Sequence, residues 1–140
     1  MKNTDLKRLR DAAIYAVYLK GLSSGAFSSI RGALSYIMSH DAPHFFIEGK
    51  AASSYIGMIK NRISLVNLNS ASRRRIWCLY DRYQEWRERN PQSKLSRERV
   101  CEILVEEPAP EFFLKDNAIR HIIYKQSKIR QQQLIEKFSR

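Results

Sequence analysis

The chain has 140 residues, with 25 Lys and Arg against 14 Asp and Glu, a formal charge of +11 and 44% apolar residues. That apolar share supports a small folded core and excludes a disordered basic tail, and the length fits one domain or two small ones. No apolar run approaches the roughly 18 residues of a membrane span, the first residues lack a signal peptide's hydrophobic stretch, and Cys78 and Cys101 read as small hydrophobes of a reducing compartment, so a cytoplasmic protein is expected.

In chain order, the first segment places Leu6, Leu9, Ala13, Ala16 and Val17 at helical spacing. Gly21 to Ser28 reads as a turn. A second helix starts at Ser29, whose hydroxyl can accept from exposed backbone N–H groups, and buries Ala33, Leu34, Ile37 and Met38 before Pro43 stops it. A third helix spans about Glu48 to Arg62. The junction Ser64 to Ser72 carries Leu65, Val66 and Leu68, which predicts that it lies against protein. A fourth helix follows with Ile76, Leu79, Tyr80, Tyr83 and Trp86 inward, then a turn at Asn90 to Lys94. The fifth is capped by Ser96, buries Val100, Cys101, Leu104 and Val105, and ends before Pro108. The sixth runs from about Asp116 into the C-terminal segment. Extended candidates are confined to the Phe-Phe connectors and to Ile63 to Leu68, so the expected class is all-α.

These segments repeat. Asp41-Ala-Pro-His-Phe-Phe-Ile47 returns as Pro108-Ala-Pro-Glu-Phe-Phe-Leu114, 67 positions later. In the same register Ser29 meets Ser96, Ile37 meets Leu104 and Ile56 meets Ile123. Upstream the offset is 65, matching Arg8 and Arg10 to Arg73 and Arg75 and Tyr15 and Tyr18 to Tyr80 and Tyr83. Colinear matches over three segments predict an internal duplication. Unit one spans 1–64, a linker 65–71, and unit two 72–140, each a three-helix unit and the two packed together, because units of that size are marginal alone. Phe45-Phe46 and Phe112-Phe113 are expected to plug the gap between the second and third helices of each unit, not to stand out as base-stacking platforms.

Helix, helix, connector, helix on a basic background resembles the helix-turn-helix superfamily over about 45 residues of each half. The likeness is architectural, and the seven-residue connector Asp41 to Ile47 is longer than that superfamily's usual turn. It implies that the third helix of each unit enters a DNA major groove.

Charge placement agrees with a polyanionic partner: residues 1–62 carry +5 and residues 63–140 carry +6. If Ala118, Ile119, Ile122 and Ile123 face inward, the other side of the sixth helix presents Asn117, Arg120, His121, Tyr124, Lys128 and Gln131. Arg, Asn and Gln suit base edges, and Lys and Tyr suit phosphates. The matched face of the third helix offers Lys50, Ser53, Ser54, Gly57 and Asn61, and its small members allow close approach to DNA or to another helix. Arg73, Arg74 and Arg75 open the fourth helix, where positive charge opposes the helix dipole and invites an external anion such as phosphate.

No catalytic, phosphate-loop or metal-ligand spacing emerges, so a non-enzymatic protein without cofactor or metal is expected. His40 and His44 are four apart but separated by Pro43. The reading that follows is a double-stranded DNA-binding protein of gene regulation or of mobile elements and phages, with RNA as a weaker candidate partner, no membrane partner, and a homodimer or larger assembly allowed. The rival is a basic structural or assembly component of a phage particle or larger complex, which would make it virion-associated.

Overall fold

The computed structural model describes residues 3–139 as six α-helices. They are α1 (Asn3–Ser24), α2 (Ile30–Met38), α3 (Gly49–Lys60), α4 (Ser70–Arg89), α5 (Arg97–Leu104) and α6 (Asp116–Phe138). No β-strand is present among the described residues, and the only extended pairing is an antiparallel bridge between Ala42 and Ala109. None of the helices is long and apolar enough to cross a membrane.

Local chemistry sets the helix starts. The Ser29 hydroxyl accepts from the Gly32 amide and the Ser96 hydroxyl from the Arg99 amide, as expected of N-caps. Asn69 does the same for Ser72, so α4 begins at Ser70, three residues before the Arg73 expected to open it. The short helices stop several residues before Pro43 and Pro108, at Met38 and Leu104. At the end of α3, Ile63 N–H donates to the Met58 carbonyl and Arg62 N–H to that of Ile59. These two hydrogen bonds close the helix in the Schellman manner, with Arg62 at a left-handed φ of 58°.

One core, not two, is built from all six helices. α6 packs on α1 and α2, while α3 packs on α4 and α5. The helices before residue 49 and after residue 70 thus each receive their third member from the opposite side of the 65–71 segment. The two segments, 1–64 and 72–140, pack together as expected, but each third helix lies on the other segment's pair of helices, because the connectors meet each other at Ala42 and Ala109. Ala42 and Ala109 exchange N–H···O bonds of 2.9 and 2.8 Å. Phe45 stacks on Phe113 at 5.8 Å and Phe46 on Phe112 at 6.4 Å between ring centroids. Phe46 and Phe113, equivalent in the 67-residue register, both take left-handed backbone, φ 53° and 55°. Such a turn costs a phenylalanine on the order of 1–2 kcal/mol, and burial of the stacked rings offsets it.

Within the stripes, Ile14 is fully buried where Leu9 and Ala16 were expected, and Met38 is exposed. In the junction, Leu65 is buried and Leu68 half-buried, but Val66 projects into solvent. The tightest helix approach is at Gly49, where an added Cβ would lie 2.9 Å from the Glu102 backbone. Gly49→Ala is therefore expected to force α3 away from α5 and cost about 1–3 kcal/mol. A thermal midpoint equal to that of the parent protein would show that the approach is looser than described.

Candidate nucleic-acid interface

α6 is the element on which the candidate interface rests. Ile119, Ile122 and Ile123 are buried against α1 and α2, and the Ser127 hydroxyl meets the Tyr15 hydroxyl at 3.4 Å. That anchoring turns Asn117, Arg120, His121, Tyr124 and Lys128 outward, all exposed, as the sequence predicts. Lys128 Nζ lies 4.7 Å above the Tyr124 ring, a cation–π contact that holds the two side chains together. Among the described residues no carboxylate pairs with Lys115, Arg120, Lys125, Lys128, Arg130 or Lys137. The stretch from Lys128 to Ser139 is exposed throughout, so α6 extends past the body that anchors it.

Sequence reasoning missed two parts of this helix. Lys125 and Arg130 enlarge its cationic surface. Ile135 and Phe138 are exposed, Phe138 by 81%. Both lie on the line Tyr124, Lys128, Gln131, Ile135, Phe138, and continuing the i, i+4, i+7 count would have found them.

The matched face of α3 does not join α6. α3 lies against α4 and α5 and makes no contact with α6. Ser53 is a correction: it is buried, and its hydroxyl accepts from Arg97 Nε at 3.1 Å. Gly57 serves the same neighbour, since a Cβ there would come within 2.7 Å of the Arg97 guanidinium. The small residues of α3 thus admit α5 and its arginine. Lys50 and Ser54 are exposed, and Asn61 is exposed as the C-cap of α3. Lys50, however, shares a surface groove with Glu48, Glu98, Glu102 and Glu106, whose carboxylates repel a phosphate there.

The arginine trio is divided by the fold. Arg73 is exposed, and no carboxylate among the described residues pairs with it. Arg74 is a correction: it forks onto Glu111 at 2.8 Å, and that hydrogen-bonded carboxylate pushes its pKa further above the ordinary arginine value. Arg75 is a second correction. It points inward and donates to the Phe45 and Phe46 carbonyls at 3.5 and 3.3 Å, and its Nε has no partner. Burial first, and the nearby Arg10 cation second, lower its pKa from the ordinary value. Arg10 is itself tied to Asp11 at 3.0 Å. An arginine at this place serves the connector crossing, because bent backbone needs a donor for carbonyls that no helix satisfies.

No group of three or more His, Cys, Asp or Glu among the described residues could hold a metal. The Cys101 thiol lies on the buried face of α5, and burial pushes its pKa up to about 11. No family model, curated protein or solved structure matches the chain.

Arg75→Ala is expected to lower stability by about 1–3 kcal/mol, the range for buried polar groups left unpaired, while Arg73→Ala leaves the thermal midpoint in place. Equal losses from the two would contradict the division of the trio. For Cys101 the sign runs one way: burial disfavours the thiolate, so folded protein keeps the proton across pH 9 where an unfolded thiol begins to release it. Its contribution to stability is therefore lost as pH rises from about 9 towards 11. Alkylation at pH 8 should spare Cys101 until denaturant is added, and rapid labelling of native protein at that position would refute its burial.

Proposed function

We propose that the chain is a non-enzymatic double-stranded DNA-binding protein that grips the duplex with the exposed face of α6. The carrying observation is a single continuous helix on which Asn117, Arg120, His121, Tyr124 and Lys128 face solvent in line. Arg120 and Lys128 are free of ion pairs among the described residues. An α-helix of this kind fits the major groove of B-form DNA, where arginine and asparagine read base edges and lysine and tyrosine hold phosphates. Lys125, Arg130 and Lys137 add cationic contacts along the same element. Arg74, Arg75 and Ser53 have no part in the contact, and α3 contributes through Lys50, Ser54 and Asn61 weakly or not at all.

The same proposal includes the internal duplication. Two copies of a helix–helix–connector–helix unit, fused head to tail, exchange their third helices across the Ala42–Ala109 bridge. Support comes from the equivalent positions doing equivalent things: paired alanines, paired phenylalanine stacks, and two left-handed phenylalanines in the same register. On this reading the copies have diverged in use. α6 became the cationic reader, and α3 became packing for α5.

A second reading, assembly into a larger particle, is favoured by the exposed apolar end of α6 at Leu134, Ile135 and Phe138. Light scattering separates the two: a monomer or dimer that shifts a short duplex supports DNA binding, and large particles without duplex affinity support assembly.

Engagement of about five phosphates gives a slope near −4 to −5 for log K against log salt. Joint replacement Arg120→Glu and Lys128→Glu should weaken duplex binding by about 10- to 100-fold, while Lys50→Glu changes it little. Affinity that ignores both salt and the α6 substitutions would overturn the reading, as would RNA outcompeting the duplex.

A further inference from the structure

A groove of about 450 Å³ opens between the end of α3, the 61–69 junction and the first turns of α4. Ile59, Ile63, Leu65, Val66 and Trp77 form its apolar wall. Three of these are unusually open to water: Val66 is 72% exposed, Ile63 52% and Trp77 48%. Scattered apolar residues are ordinary on a surface, but a contiguous set lining a concavity marks a binding site. Two arginines, Arg62 and Arg73, stand among the lining residues with no acidic residue beside them. Neither is paired with a carboxylate among the described residues.

Arg62 is costly where it stands. It holds the left-handed position of the Schellman closure, which glycine fills without strain. A cation kept at a position that suits glycine, beside a second unpaired cation and an exposed tryptophan, is a combination characteristic of interface anchors.

We infer that this groove docks an acidic, amphipathic segment of a partner protein, seating apolar side chains against Val66, Ile63 and Trp77 and carboxylates on Arg62 and Arg73. Charge complementarity chooses the occupant. An anion is required by the two free guanidiniums, which accept carboxylates in a forked geometry. A nucleobase suits the wall poorly, since the Ser64 hydroxyl and the Trp77 indole N–H are the side-chain hydrogen-bonding groups there besides the arginines, too few to satisfy a buried base edge. The exposed apolar end of a second copy's α6 is disfavoured as well, because Lys128, Arg130 and Lys137 outnumber Glu136 along it. The inference stands apart from DNA binding, which engages a different helix.

The test is selection from a random peptide display library on the full chain, with counter-selection against Val66→Asp. The expected winners carry Asp or Glu flanking two or more large apolar residues, and they shift the emission of the folded protein by covering Trp77. Their affinity should fall at least about ten-fold in Arg73→Glu and in Arg62→Gly, and stay unchanged in Arg120→Ala. Arg62→Gly is informative because it relieves backbone strain: the fold should melt no earlier while binding is lost. Circular dichroism confirms that each variant is folded. The inference is overturned by winners lacking acidic residues, by the absence of any enrichment that depends on Val66, or by binding insensitive to both arginines. Light scattering that shows a dimer dissolved by Val66→Asp assigns the groove to self-association, and oligonucleotide binding lost in the same variant assigns it to nucleic acid; either result also overturns it.

Discussion

The crossing of the two Phe-Phe connectors is the constraint on which the rest of this molecule depends. Ala42 and Ala109 bond to each other instead of to their own halves, and the phenylalanines that follow stack in reciprocal pairs. Once the connectors cross, α3 and α6 have no route back to the helices that precede them, and each completes the opposite pair. Small proteins of this length bury little surface per residue, and one core to which all six helices contribute buries more than two separate ones would. The left-handed phenylalanines and the inward Arg75 are the local consequences, since bent backbone needs both a permissive turn and a donor for its carbonyls.

Electrostatics follows from that packing. The chain's positive charge is divided almost evenly between its halves in sequence, yet not in space. α3 lies beside α5, so Lys50 faces Glu98, Glu102 and Glu106. α6 lies beside α1 and α2, and its cations meet no such cluster. α3 and α6 therefore carry unequal fields. The arginines divide likewise: Arg74 is consumed by Glu111 and Arg75 by the connector, leaving Arg73 with Arg62 at the rim of the apolar groove.

Small residues and strained residues mark where the packing is tightest. Gly49 and Gly57 let α5 approach, and Arg97 fills the space that Gly57 leaves. Arg62 keeps a left-handed turn without the benefit of glycine, the one such position among the described residues that packing of a buried ring does not explain. Strain that the core does not require is most economically read as serving a surface.

Periodicity, capping and breaker residues determined from sequence alone that the chain is helical, where its six helices lie to within a few residues, and which face of α6 meets solvent. Ser29 and Ser96 were readable because capping is a matter of neighbouring atoms. That the phenylalanine pairs turn towards the interior was readable too, but their stacking on the opposite connector was not. Only the tertiary structure decided which third helix joins which pair, because a connector of seven residues permits either path and the choice is made by contacts between residues more than sixty positions apart. The fates of Ser53, Arg74 and Arg75 hang on that choice, and a helical wheel cannot supply it. It shows which side of a helix is polar, and the neighbouring chain decides whether that polarity is spent on a carboxylate, on a carbonyl, or left free for a ligand.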